Sequence, residues 1–277
     1  MKQANAGGVK IAYEDLGLGA GARSAGPDPG ALLLMPAWCM SHAGFAQLPA
    51  KLAIRHRVLA VDWRGHGQSE TPAGDFGWEA LVEDSLAVMQ ASGARQFIPV
   101  TLSHAGWVAI ELRRRLGAQT IPKIVHLDWI VLPPPPFYME IVHALAEPDK
   151  WQATRDQLFA MWLEGVEQPE LIHFVRDEMG GFSPAMWMRS GREIGACYSQ
   201  GGYPLSASST LNPPAPTLHL YAQPADPGYL AGQQEFAAAN PWFQVTHLDA
   251  HSHFPTFEVP DQIAARIEGF VASGGKA

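Results

Sequence analysis

Short aliphatic and β-branched runs alternate along the chain with segments whose apolar positions recur every three or four residues. That alternation predicts an α/β fold with a mostly parallel central sheet. The runs at 9–15, 31–35, 57–61, 97–102, 123–130, 217–221 and 243–248 read as strands. Trp78, Leu81, Val82, Ser85, Val88 and Met89 fall at helical spacing, as do Trp107, Val108, Ile110, Leu112 and Leu116 after the 97–102 run. Ile263, Ile267, Phe270 and Val271 share one face of a C-terminal helix.

Two stretches depart from the pattern. Residues 17–30 are rich in Gly, Ala and Pro and read as a surface loop. Between Leu132 and Pro216 the strand signal disappears. The stretch opens on Pro133, Pro134, Pro135 and Pro136, which a sheet interior cannot hold, and continues with Trp151, Leu158, Met161 and Trp162 on one helical stripe. The expected organisation is a core of 1–131 and 214–277 with a helical cap inserted at 132–213.

Composition narrows the function classes. The chain has 277 residues, 47% hydrophobic and 17% charged, with net charge −8. That balance argues against nucleic-acid or anionic-membrane partners, which need clustered Lys and Arg. No apolar run is long enough to span a membrane. Cys39 and Cys197 alone cannot form a disulfide framework or a Cys-rich zinc site. The N-terminus lacks a signal-peptide pattern, so a cytoplasmic protein is expected. No dinucleotide fingerprint follows any strand and the histidines lack ligand spacing, so neither cofactor nor metal is expected. Nine Trp beside six Tyr and 12 Phe is the outlying number, and it suggests use for large flat rings.

Four segments could carry chemistry. Thr101-Leu102-Ser103-His104-Ala105-Gly106 joins a strand to a helix as a nucleophile elbow does, with Thr101 and Ala105 where two glycines are usual. Asp249-Ala250-His251-Ser252-His253-Phe254-Pro255 follows the last strand, where an α/β-hydrolase keeps its base; the turn into the helix favours His253 over His251. The acid is Asp128, at a strand end, or Asp226, in a Pro-rich turn; position favours Asp128. Met35-Pro36-Ala37-Trp38-Cys39-Met40-Ser41-His42 supplies the loop that, with the elbow, builds an oxyanion hole. Its donors would be the backbone N–H groups of Trp38 and His104, with His42 a further substrate-binding candidate. Cys39 reads as inert in its apolar setting. Arg64-Gly65-His66-Gly67-Gln68-Ser69 reads as a turn packing the sheet.

Taken together, Trp38-Cys39, Ser103-His104, Leu127-Asp128-Trp129, Trp162, Arg192-Glu193-Ile194 and His253-Phe254-Pro255 resemble the cofactor-independent 2,4-dioxygenases of 3-hydroxy-4(1H)-quinolones. The resemblance runs from Tyr13 to Phe270. It implies an α/β-hydrolase fold and cleavage of a small hydrophobic N-heteroaromatic substrate with O2, releasing CO and an N-acylanthranilate. It also implies Asp128 as the acid and His253 as the base that removes the 3-hydroxyl proton. Ser103 would then hydrogen-bond the substrate, and Trp162 would wall the ring. Pro36-Ala37, Leu102 and Met40 depart from the family pattern. Two other readings remain open on this fold: a serine esterase or lactonase using Ser103 and His253, and a non-catalytic small-molecule receptor.

Overall fold

A computed structural model describes residues 1–17 and 30–273. Apart from its two end residues, the loop expected at 17–30 lies outside the described residues. Eight strands form one sheet in the order β1-β2-β4-β3-β5-β6-β7-β8. They are β1 Lys2–Ala6, β2 Val9–Leu16, β3 Ala31–Met35, β4 Arg57–Val61, β5 Phe97–Leu102, β6 Ile124–Leu127, β7 Thr217–Tyr221 and β8 Phe243–His247. Strands β3 to β8 run parallel, whereas β2 pairs antiparallel with β4 and with β1.

The burial of each strand explains its composition. Every residue of β3, β5, β6 and β7 is buried. Helices cover both faces of such strands, so β3 is a continuous apolar run, and the polar Thr101, His126, Thr217 and His219 of the other three are buried with their apolar neighbours. At the edge, β8 buries only Phe243. Sequence pattern missed β1, whose Lys, Gln and Asn are weak strand formers. The hairpin turn makes it: Gly7 and Gly8 take φ of 62° and 96°, and the Gly pair folds Lys2–Ala6 back onto β2. The helix Pro227–Ala239 likewise has no counterpart in the sequence pattern. Only Gln233 is buried in it, so it shows little apolar periodicity.

Between β6 and β7 the described chain is helical. It forms the helices Pro136–Leu145, Trp151–Trp162, Pro169–His173, Pro184–Gly201 and Pro204–Ser209, with a π-helical turn at Phe174–Met179. No described helix is long and apolar enough to cross a membrane. Because the parallel strands all point one way, the loops after β3, β5, β6 and β8 gather at one edge of the sheet, where open α/β sheets bind ligands.

Candidate active site

Backbone strain marks this edge. Cys39, Ser103 and Asp128 have φ of 57°, 47° and 47°, in the left-handed region that costs a non-Gly residue about 1–3 kcal/mol. Each conformation is held by hydrogen bonds. Ser103 N–H donates to Leu127 O (2.9 Å), and Ser103 O accepts from Gly106 N–H (3.0 Å). Asp128 N–H donates to Leu220 O (2.9 Å). Asp128 thereby leaves the sheet direction at once, so the strand expected at 123–130 ends at Leu127. Cys39 N–H donates to His66 Nε2 (3.0 Å), while His66 Nδ1 bonds Arg64 O (2.9 Å). A carbonyl only accepts, so Nδ1 carries the proton. Burial holds the His66 pKa down to about 4, which keeps the ring neutral. The 64–69 turn therefore also shapes the loop after β3, a role that no sequence signal indicated.

The elbow works without its two usual glycines. Thr101 is wholly buried and its Oγ1 meets His126 Nδ1 at 2.8 Å; Ala105 is buried too. Gly106 is the obligatory small residue, because a Cβ there would lie 2.1 Å from the Trp129 ring.

Asp128 and His253 come together. His253 Nδ1 lies 2.7 Å from Asp128 Oδ1, and Oδ2 accepts backbone N–H groups from Ala222 (2.7 Å) and Gln223 (3.1 Å). Asp128 is 1% exposed, so these bonds replace the water that a buried carboxylate forfeits. Asp226 does something else: its Oδ1 caps the Pro227–Ala239 helix by accepting from Tyr229 N–H (3.0 Å). His251 is exposed. Glu258 pins the loop carrying both histidines, accepting from His251 N–H (2.8 Å), Ser252 N–H (2.8 Å) and Ser252 Oγ (2.5 Å). Thr256 Oγ1 donates to Gly44 O (2.7 Å) and ties this loop to the segment after β3.

Ser103 bonds its neighbour rather than the base. Its Oγ lies 3.1 Å from His104 Nδ1, and among the described residues no bond joins it to His253. His104 Nε2 bonds the hydroxyl of Tyr138, on the helix Pro136–Leu145. Burial, with a smaller contribution from His253, lowers the His104 pKa to about 3. Neither the Trp38 nor the His104 backbone N–H has a protein acceptor among the described residues. The small cavity that both residues line is walled by Trp63, Val108 and Cys197 and includes neither Ser103 nor His253. The Trp38 ring stacks on Phe76 with centroids 5.9 Å apart.

His42, expected beside the substrate, is not brought into this cluster. Its N–H and Nδ1 both bond Asp62 Oδ1 (2.8 and 2.9 Å), and Glu14 lies 3.9 Å from Nε2. The hydrogen bond to Asp62 raises its pKa. A buried carboxylate captures the ring, which the spacing from Trp38 could not reveal. The Cys39 thiol is pushed far up by burial, consistent with an inert residue.

Aromatic rings close the site. Trp162 stacks on His253 (centroids 5.3 Å, planes 21° apart) and meets Phe254 edge-on. Phe174, from the π-helical turn, packs on Phe254. Met40, Leu102 and Phe174 converge around Gly44. Among the described residues no group of three His, Cys, Asp or Glu side chains is arranged to hold a metal ion.

A model described as the alpha/beta hydrolase family matches residues 27–266. The 1H-3-hydroxy-4-oxoquinoline 2,4-dioxygenase of Pseudomonas putida is 34% identical over 98% of this chain and 99% of its own length. A 2-heptyl-3-hydroxy-4-quinolone dioxygenase of Rhodococcus erythropolis is 36% identical over 85% of this chain and 84% of its own. Among solved structures, a variant that recognises and ring-cleaves the Pseudomonas quinolone signal, in complex with its substrate, superposes with a TM-score of 0.89. It is 32% identical, and 99% of each chain is covered. With this fold, and with relatives of this similarity over nearly their whole length, the chain belongs to the alpha/beta hydrolase family and, within it, to the quinolone 2,4-dioxygenases.

Proposed function

We propose that this protein cleaves the heterocycle of 2-alkyl-3-hydroxy-4(1H)-quinolones with O2, giving CO and an N-acylanthranilate, without a cofactor or metal. The observation that carries the reading is the His253–Asp128 pair, with Trp162 stacked on the imidazole and Ser103 bonded elsewhere. His253 is the base. Asp128 accepts its Nδ1–H, which leaves Nε2 as the lone pair that removes the 3-hydroxyl proton, and then stabilises the resulting imidazolium. The substrate anion donates an electron to O2, and the oxygen recombines at C2. Attack on C4 forms an endoperoxide that expels C3 as CO; one atom of O2 ends in the acyl group and the other in the carboxylate.

Backbone N–H groups of Trp38 and His104 stabilise the oxygen charge. The helical insertion, residues 132–213, acts as the cap. Trp162 from that insertion, with Phe254 and Phe174, walls a planar ring and excludes water from the anion and peroxide. Cytoplasmic residence completes this reading.

The elbow strain at Ser103 favours a second reading, a serine esterase or lactonase. It fits less well, because a nucleophile needs its proton directed at the base, and Ser103 Oγ faces His104. The deciding experiment incubates purified protein with 2-methyl and 2-heptyl 3-hydroxy-4(1H)-quinolones and follows O2 uptake and CO release. Stoichiometric gas exchange is expected with at least one of them; its absence with both refutes the dioxygenase reading.

A further inference from the structure

A continuous line of partly buried polar groups crosses from the sheet into the helical insertion. Ser103 Oγ meets His104 Nδ1 at 3.1 Å, and His104 Nε2 meets the Tyr138 hydroxyl. The Tyr138 ring lies nearly parallel to His104, with planes 17° apart, and Tyr198 stands edge-on to both. Tyr198 spends its own proton on Ile130 O (2.9 Å), a group that can only accept.

The direction of this line decides what Ser103 offers a ligand. His104 is neutral, so one ring nitrogen donates and the other accepts. Tyr138 has one proton, and its hydroxyl meets His104 Nε2 while the Tyr198 ring packs edge-on beside it. An sp² imidazole nitrogen is a far stronger acceptor than a phenol oxygen, and a phenol is a stronger donor than a neutral imidazole N–H. The proton of Tyr138 therefore goes to Nε2. His104 Nδ1 must then carry the ring proton and donate it to Ser103 Oγ. That leaves the Ser103 O–H free to donate into the site.

We infer that Tyr138 is a positioning residue: through His104 it makes Ser103 a hydrogen-bond donor to a charged oxygen of the bound heterocycle, and not a nucleophile. A serine whose oxygen already accepts from a neutral His N–H has no base on that side to take its proton. The same arrangement suits an enolate or carbonyl oxygen, which needs a donor and nothing more. The inference rests on the dioxygenase reading for the identity of the ligand, but the tautomer of His104 does not depend on it.

The primary test needs no substitution. In wild-type protein with ¹⁵N-labelled histidine, His104 is expected to show a protonated Nδ1 coupled to its ring proton and an unprotonated Nε2. An unprotonated Nδ1 overturns the inference. Because this is read without turnover, it decides the matter even if the protein consumes no O2, a result that would sink the dioxygenase reading alone.

The second test is Tyr138→Phe, which frees His104 to adopt the other tautomer and draw the Ser103 proton away from the ligand. Anaerobic binding of the quinolone is expected to weaken by about tenfold, the worth of one hydrogen bond to a charged group. In a Ser103→Ala background the same substitution should change binding less than twofold. An equal loss in both backgrounds would show that Tyr138 acts by packing alone and would overturn the inference.

Discussion

Asp128→Asn separates the roles of the acid more sharply than deletion does. In the native site Oδ2 accepts two backbone N–H groups, at 2.7 and 3.1 Å, and Oδ1 faces His253 Nδ1 at 2.7 Å. An asparagine of the same shape has one acceptor and one donor end. Two fixed backbone donors at Ala222 and Gln223 force its oxygen to their side, so its NH2 faces His253. Nδ1 must then accept, the ring proton moves to Nε2, and the nitrogen turned toward substrate is no longer a base. The imidazolium also loses its carboxylate, a charge-assisted bond worth about 1.5–3 kcal/mol. Adding about 1 kcal/mol to reverse the tautomer against a neutral hydrogen bond gives about 2.5–4 kcal/mol, or roughly 10²–10³-fold in turnover. The assay is O2 uptake at saturating quinolone, paired with anaerobic titration of the spectral change that accompanies 3-hydroxyl deprotonation. Substrate should still bind, while kcat and the deprotonated fraction fall together. An Asp128→Asn protein within threefold of wild-type kcat would refute the assignment of Asp128 and His253 as a proton-transfer pair.

Other expected outcomes follow from the same geometry. Ser103→Ala should reduce quinolone turnover by about tenfold, one hydrogen bond to a charged oxygen, whereas a serine hydrolase would lose on the order of 10⁶ in an ester assay. Gly106→Ala drives a Cβ to 2.1, 2.4 and 2.7 Å from atoms of the fully buried Trp129 ring; a loss of about 1–3 kcal/mol and a lower Tm by calorimetry should result. Acid should destabilise the fold early. Burial holds His66, His104, His126 and His219 at about 4, 3, 3 and 4, below the unfolded value of about 6.5. Their stabilising contribution is full above pH 6.5 and is lost as pH falls toward the folded values. Up to four excess protons on the unfolded chain correspond to as much as about 5 kcal/mol per pH unit. Urea midpoints at pH 7.5 and 5.5 measure this, and equal midpoints would contradict it.

The sequence by itself determined the elements whose signal is local. Short runs rich in aliphatic and β-branched residues, each bounded by turn signals, make β3, β4, β5 and β7 legible to the residue. The strand-to-helix context of Ser103, the position of Asp128 at a strand end and the place of His253 after the last strand follow from chain order. Weak local signals hid β1, which depends on a Gly-Gly turn, and the helix after Asp226, which buries one polar residue. Only the tertiary structure decided which side chains share hydrogen bonds. His42 lies four residues from Trp38, yet Asp62 claims it. The segment with His66 reads as a turn packing the sheet, and Glu258 carries no sequence signal, yet they hold the loops that carry Trp38 and His253. Tyr138 lies 34 residues from His104 and meets it because the insertion folds back over the elbow. The surplus of Trp divides the same way: Trp63 and Trp129 are wholly buried in the core, while Trp162 stacks on His253. Periodicity records whether a residue is buried; which partner a buried polar group finds depends on packing between segments distant in sequence, and that pairing sets the proton positions on which the chemistry turns.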